Sequence, residues 1–388
     1  MKITKGKFMK CDICLQTADC DPYFTVEDGV CIYCKEVAPR YAELLQKQPQ
    51  FQTIISGIKA DGVGKKYDCL IGMSGGVDSS FIAHLCGVEG IRPLVVHFDN
   101  GWNSELAVSN INNIIESYGF DLETLVVDWE EFSDLQRALI KSSVIDIEMA
   151  SDHAIYATMM RLAKEHNIGY LLSGANTATE SGMPPSWSWR KGDWINLRHI
   201  HKLFGSVPLK TFPVYSSFRQ FFDRFFKMGP TRVDILDYYP FKKSLAVELL
   251  KDKYGWREYG GKHYESTFTA FYQAYILPKK FGVDKRISHL SALIRNGEIS
   301  RADAEIELSA PIYPNERKMQ EDKSYFCKKL GFNESEFDSI MELQPRPHTY
   351  YKSDETWFLW LKKVSIFLKK IGLTGIVKRY ITQSNKWE

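Results

Sequence analysis

The chain has 388 residues, 44% hydrophobic and 25% charged, with 50 Lys+Arg against 48 Asp+Glu. That composition excludes a disordered chain. The near-neutral balance argues against a protein that coats nucleic acid. The length exceeds the ~250–300 residues over which one core grows, so more than one domain is expected. No uncharged run, Ser266–Pro278 included, approaches the ~20 residues of a membrane span. The N-terminal MKITKGKFMKC carries lysines but no apolar core of a signal peptide. The expected compartment is the cytoplasm.

The first element is a cysteine cluster. Cys11-Asp-Ile-Cys14 and Cys31-Ile-Tyr-Cys34 are two Cys-x-x-Cys knuckles, each able to place two thiolates on one metal. Together they make a tetrahedral sulfur site, which suits structural Zn²⁺. So short a segment has almost no core, so the metal must supply most of its folding free energy. Cys20 lies between the knuckles as a spare. A helical stretch around 41–58 leads to a Gly62-Val-Gly64 linker. Then YDCLIGM, RPLVVHF, LETLVVD and IGYLLSG read as buried strands alternating with helices, and a last strand enters YPFKKSLAVELL. That alternation predicts an α/β fold, a doubly wound parallel sheet with ligands at the carboxyl ends of its strands. Residues 184–217 read as a long irregular loop rich in Trp. Beyond Gly260 the pattern is helical hairpins, near 264–280, 284–295, 300–308, 316–330 and 334–341.

The loop after the first sheet strand is Ser74-Gly-Gly-Val-Asp-Ser-Ser80. Gly75 and Gly76 let the backbone turn tightly and bring N–H groups near a ligand. Ser74, Ser79 and Ser80 add hydroxyls, and the helix N-terminus adds partial positive charge. This is a phosphate cradle, although it is neither a P-loop nor G-x-G-x-x-G. Asp78 inside it would repel phosphate unless it bound a cation, so it reads as a Mg²⁺ ligand.

Ser-Gly-Gly-x-Asp-Ser after a first strand resembles the signature of the PP-loop ATP pyrophosphatases, which have a HUP-like sheet. The resemblance implies that ATP is cleaved between its α and β phosphates while a substrate oxygen is adenylated. It would place Phe98 and Asp99 beside adenine or ribose; a plain strand-to-turn ending accounts for them equally. It would give the loop from Gly174 two roles: Asn176 on ribose or the adenylated oxygen, and Glu180 as a second Mg²⁺ carboxylate. A helix cap explains the same residues. Lys243, beside Lys242, would neutralise the leaving pyrophosphate; a solvated lysine pair is the alternative.

A narrower resemblance joins the cysteine knuckle, the PP-loop and the block from HYESTFTAF to ADAEIEL. This combination looks like the N-acetyl sugar amidotransferases of bacterial surface-polysaccharide (O-antigen, lipopolysaccharide) and nonulosonate biosynthesis. It implies conversion of an acetamido group on a nucleotide-activated sugar to an acetamidino group. Ammonia would come from a separate class I glutaminase, since nothing in the chain resembles one. Lys262, His263, Tyr264, Glu265 and Arg286 are the candidate sugar-binding residues. His153 and a lid of Trp187, Trp189 and Trp194 are weaker candidates, for which ordinary packing is the alternative. The expected segments are 1–60 (zinc knuckle and helix), 61–258 (ATP-cleaving domain), 259–345 (helical cap) and 346–388 (basic amphipathic tail). The tail pattern, Trp357–Lys370, could lie on an anionic membrane or pack on the body or the glutaminase. The competing functions are a tRNA sulfur-transferase and a non-catalytic scaffold.

Overall fold

The computed structural model describes residues 9–225, 228–259, 264–360 and 363. They form two compact units. The first contains the chain up to Thr124 with Ile168–Trp187 and Thr231–Phe326; the second contains Leu125–Asn167, Ser188–Pro230 and the chain from Cys327.

The first unit begins with the cysteine segment. A two-stranded hairpin, β1 (Val26–Glu27) and β2 (Val30–Cys31), turns directly into helix α1 (Ile32–Lys47). This helix starts earlier than the apolar pattern predicts, because Cys31 itself is the N-cap and its sulfur accepts from the Cys34 N–H at 3.4 Å. Helix α2 (Phe51–Asp61) leads to the sheet. Its strands are β3 (Cys69–Gly72), β4 (Pro93–Asp99), β5 (Asp121–Val126), β6 (Tyr170–Ser173) and β7 (Thr231–Asp234), in the order β5-β4-β3-β6-β7. β3 pairs in parallel with both β4 and β6, and β6 in parallel with β7. The first strand is therefore central, and its carboxyl end is the switch point where ligands bind such sheets.

Local chemistry explains the flanking helices. α3 (Val77–Val88) is buried along most of its length, as its near-continuous apolar sequence requires. Ser104 caps α4 (Glu105–Tyr118) by accepting from Ala107 N–H at 3.1 Å, and Gly119 ends it in the left-handed region. Ile71, Phe81, Ile82, Ile111, Ile114, Leu172 and Leu250 meet in one core around the sheet.

In the second unit, α5 (Trp129–Ser142) and α6 (Met149–Glu165) pack against a helix that sequence reading did not anticipate. α7 (Thr177–Glu180), in the first unit, is a single turn; α8 (Trp194–Phe204) forms inside the stretch expected to be irregular. Asp193 caps α8 through the Asn196 N–H at 2.9 Å. α9 (Ser217–Phe225) follows. In the first unit, α10 (Lys243–Tyr254) and α11 (Thr267–Phe271) come next, α11 running on as a wider π-wound stretch, Tyr272–Phe281. α12 (Lys285–Arg295) and α13 (Arg301–Ser309) form a hairpin. α14 (Glu316–Leu330) and α15 (Glu334–Glu342) match the spacing read from sequence. Among the described residues no helix is long and apolar enough to cross a membrane. Trp357 and Trp360 lie on a final helical turn; the rest of the amphipathic tail pattern, Lys363 apart, lies outside the described residues.

Candidate functional site

The loop Ser74–Ser80 joins β3 to α3, as its sequence requires. Gly75 has φ +86°, and a Cβ there would meet Ala107 O at 2.7 Å and the Tyr259 hydroxyl at 2.9 Å. Only glycine meets both conditions. The Gly75 carbonyl accepts from Trp256 Nε1 at 2.9 Å, Tyr259 OH at 2.8 Å and Ser80 Oγ at 3.3 Å. Asn110 on α4 holds this brace: its amide donates to Tyr259 OH at 2.8 Å and to Arg257 O at 2.9 Å. Burial, reinforced by the nearby Glu265 carboxylate though opposed by Asn110, pushes the Tyr259 phenol up, so it remains a donor. Sequence reading missed Trp256, Tyr259 and Asn110, which belong to no motif.

The ligand side of the loop is open. Ser74 is exposed, Asp78 and Ser79 are half-buried, and the α3 N-cap, Gly76, offers no side-chain cap. An uncapped helix start leaves N–H groups for an anion. Ser74 Oγ stands 3.4 Å from Ser79 Oγ and accepts from Gly76 N–H at 3.2 Å. The loop after β6 touches this cradle: a Cβ at Gly174 would stand 3.6 Å from Asp78 Cβ and 3.7 Å from Ser79 N.

Several expected ligand contacts take other tasks. Ser80 is fully buried, and its hydroxyl shapes the loop through Gly75 O. Phe98 is buried, and Asp99 accepts from Gly101 N–H at 2.9 Å and the Asn103 amide at 3.3 Å, which is the strand-to-turn ending. Asn176 caps α7, accepting from Thr179 N–H at 2.9 Å and donating to Gly174 O at 3.1 Å. Glu180 is exposed at the end of that turn. Lys243 is half-buried in the first turn of α10, where the macrodipole disfavours a cation.

The proposed sugar residues divide. Lys262 and His263 lie outside the described residues. Arg286 is committed to its own helix cap and to α13: it donates to Asp284 at 2.8 and 3.1 Å, to Ala310 O at 2.8 Å and to Leu308 O at 3.3 Å. Tyr264 is half-buried, its phenol pushed up by burial against the opposing charge of Arg286. Glu265 stands at the Ser74–Ser80 loop. Its carbonyl accepts from Ser104 N–H at 2.9 Å, Thr267 N–H donates to Trp102 O at 2.9 Å, and its carboxylate accepts from Ser74 Oγ at 3.3 Å. The weaker candidates are packed. Trp187 donates to Cys20 O at 2.7 Å, Trp189 stacks on His348 at 5.1 Å, and Trp194 stacks on His153 at 5.6 Å. His153 is satisfied by Lys191 O at 2.8 Å and Tyr215 N–H at 3.2 Å.

The metal centre fits its expected ion. The sulfurs of Cys11, Cys14, Cys31 and Cys34 all lie within 4.8 Å of one another, with Cys11–Cys34 at 3.8 Å and Cys14–Cys31 at 3.7 Å. A tetrahedron with Zn–S bonds of ~2.3 Å has edges of ~3.8 Å. The Cys11 thiol is pulled down by its hydrogen bond to Cys14, while Cys14 and Cys31 are pushed up by Cys11. Packed this closely, four thiolates need a cation to coexist.

A parallel sheet with an open Ser-Gly-Gly-x-Asp-Ser loop at its switch point, together with a four-cysteine cluster, makes this an α/β protein. Residues 265–365 match the family described as LPS biosynthesis protein WbpG-like, C-terminal domain. The uncharacterized protein MJ1599 of Methanocaldococcus jannaschii is 24% identical over 318 residues, covering 79% of this chain and 96% of that protein. NMN synthetase from Francisella tularensis covers 69% of this chain and 98% of its own, at 13% identity and TM-score 0.35. The fold assignment rests on the strand order and loop described above.

Proposed function

We propose that the protein is an ATP-dependent, AMP-forming amidotransferase that acts on the acetamido group of a nucleotide-activated sugar in lipopolysaccharide-type biosynthesis. One observation carries the reading. Glu265, the first residue of the WbpG-like region, reaches Ser74 of the phosphate loop at 3.3 Å. The family-specific region and the phosphate loop therefore meet in one site.

The chemistry suits those parts. An amide carbonyl is a poor electrophile. Its oxygen attacks the α phosphorus of ATP and pyrophosphate leaves. Ammonia then adds to the carbon, AMP departs with the former amide oxygen, and an amidine remains. The N–H groups of the α3 first turn and the Ser74 and Ser79 hydroxyls hold the phosphates, and Lys243 would neutralise the growing charge on pyrophosphate. Bound Mg²⁺, with Asp78 as its protein ligand, would neutralise the β and γ phosphates. Ammonia arrives from a partner glutaminase.

The sulfur-transferase alternative needs a reactive cysteine outside the knuckle. Cys69, Cys86 and Cys327 are buried, and burial pushes the Cys69 thiol well up.

Purified protein given ATP, Mg²⁺, ammonium and acetamido nucleotide-sugars should release AMP and pyrophosphate. One sugar should lose about one mass unit, the exchange of O for NH. Release of ADP would sink the reading.

A further inference from the structure

The cysteine segment is docked on the ATP-loop unit rather than appended to it. Leu15 packs with Leu290 and Ala304 of the α12–α13 hairpin, and its N–H donates to Ser291 Oγ at 3.1 Å. Arg301 donates to Cys11 O at 2.7 Å and Asp12 O at 2.8 Å. The segment Ser181–Trp187, which follows Glu180, draws its anchors from the same place. Tyr41 on α1 meets Ser181 Oγ at 3.0 Å, Gln16 Nε2 donates to Gly182 O at 2.9 Å, Ser186 donates to Asp21, and Trp187 Nε1 donates to Cys20 O at 2.7 Å. Thr177, by contrast, is held by Asp237 from outside the knuckle, at 2.7 and 3.1 Å.

Arg295 joins the metal centre to this segment directly. Its guanidinium donates to Cys34 Sγ at 3.5 Å and to Ser181 O at 2.6 Å. It fills the space a Cβ on Gly182 would take, with Nη2 2.7 Å away. No carboxylate pairs with it among the described residues. A half-buried guanidinium is costly without a counter-charge, and a zinc-tetrathiolate centre, net −2, supplies one.

We propose that Arg295 is a positioning residue through which the occupied four-cysteine centre holds Ser181–Trp187, and with it the end of the loop whose Gly174 stands against the phosphate cradle. The link to catalysis rests on the nucleotide-site reading above; the link between metal and loop does not. The planar fork of Arg bridges a sulfur and a carbonyl at once, which the point charge of Lys cannot.

Amide hydrogen exchange on the full chain without nucleotide, paired with zinc stoichiometry and ATP titration, tests this. Arg295→Met should keep one zinc per chain and speed exchange selectively in 181–187. It should weaken ATP binding, while zinc affinity falls by no more than the ~10–100-fold typical of residues that support metal ligands. Arg295→Lys should restore part of both. Stripping zinc from the wild type with a chelator should raise exchange in the same segment. Unchanged exchange there in Arg295→Met, or an increase spread evenly along the chain, would overturn the proposal. Wild type that fails to bind ATP while its 181–187 exchange still follows zinc would count against the nucleotide site alone.

Discussion

The phosphate loop and the α5 carboxylates of the second unit treat polar atoms in opposite ways. On α5, Asp134 accepts from Arg137 at 2.8 Å, His201 at 3.1 Å, Ser206 N–H at 2.8 Å and Val207 N–H at 3.0 Å. Glu131 accepts from the N–H groups of Lys210, Thr211 and Phe212 at 2.9–3.1 Å. Those carboxylates are saturated and buried, and they fasten a stretch with little regular structure. In the loop 74–79, the Ser74 and Ser79 hydroxyls bond one another and the loop itself, Ser79 to Gly76 O at 3.1 Å, while Ser74 stays exposed and the first N–H groups of α3 have no side-chain cap. Polarity used for architecture is satisfied within the fold, whereas polarity kept for a ligand stays open at a strand's carboxyl end.

The largest test of this contrast is Asp134→Ala. It leaves several buried donors unpaired and should destabilise the protein by ~3–5 kcal/mol in urea unfolding. A loss below ~1 kcal/mol would erase the distinction. Asp78→Asn should do the reverse: turnover should fall at least ~100-fold, with a stability change of ~1 kcal/mol or less. If unfolding shifted as much as for Asp134, Asp78 would be architectural.

Acid sharpens the contrast further. Burial lowers His348 to about 4, with the charge of Asp146 opposing. Its folded value lies below the ordinary ~6.5, so the unfolded chain binds the extra proton. Its contribution is therefore intact above pH ~6.5 and lost as pH falls toward about 4, by up to ~3 kcal/mol. His348→Gln, assayed by melting temperature against pH, should flatten that limb; an unchanged slope would assign it elsewhere.

The smallest expected effect is at Glu265. Glu265→Gln, which removes the charge beside the loop but keeps an acceptor for Ser74, should shift the MgATP KM by no more than about tenfold, near the worth of one charged hydrogen bond. An effect on the sugar KM alone would return it to the sugar-binding role expected from sequence.

Much of this arrangement was legible in the sequence because it is local. Strand–Ser-Gly-Gly–helix and the paired Cys-x-x-Cys are contiguous, and their geometry follows from neighbouring residues. Locality left Asn176 and Asp99 open between ligand contact and turn cap, and in the structure each caps its turn. Arg286 was a sugar candidate with a helix cap as the alternative, and the fold gives it the cap, through Asp284 two residues away and the carbonyls of Ala310 and Leu308. Helix α8 was hidden by tryptophans that read as a loop but pack on His153 and His348. Glu265 and Arg295 act across 191 and 261 residues of chain, a separation that only the fold closes.

The central claim is most directly tested by following the acetamido oxygen. A nucleotide-sugar labelled with ¹⁸O in its acetyl carbonyl should be incubated with the protein, ATP, Mg²⁺ and ammonium, and the products weighed by mass spectrometry. The account predicts that the label leaves the sugar and appears in the phosphate of AMP, with unlabelled pyrophosphate beside it. Unlabelled AMP, or ADP with the label still on the sugar, would contradict it.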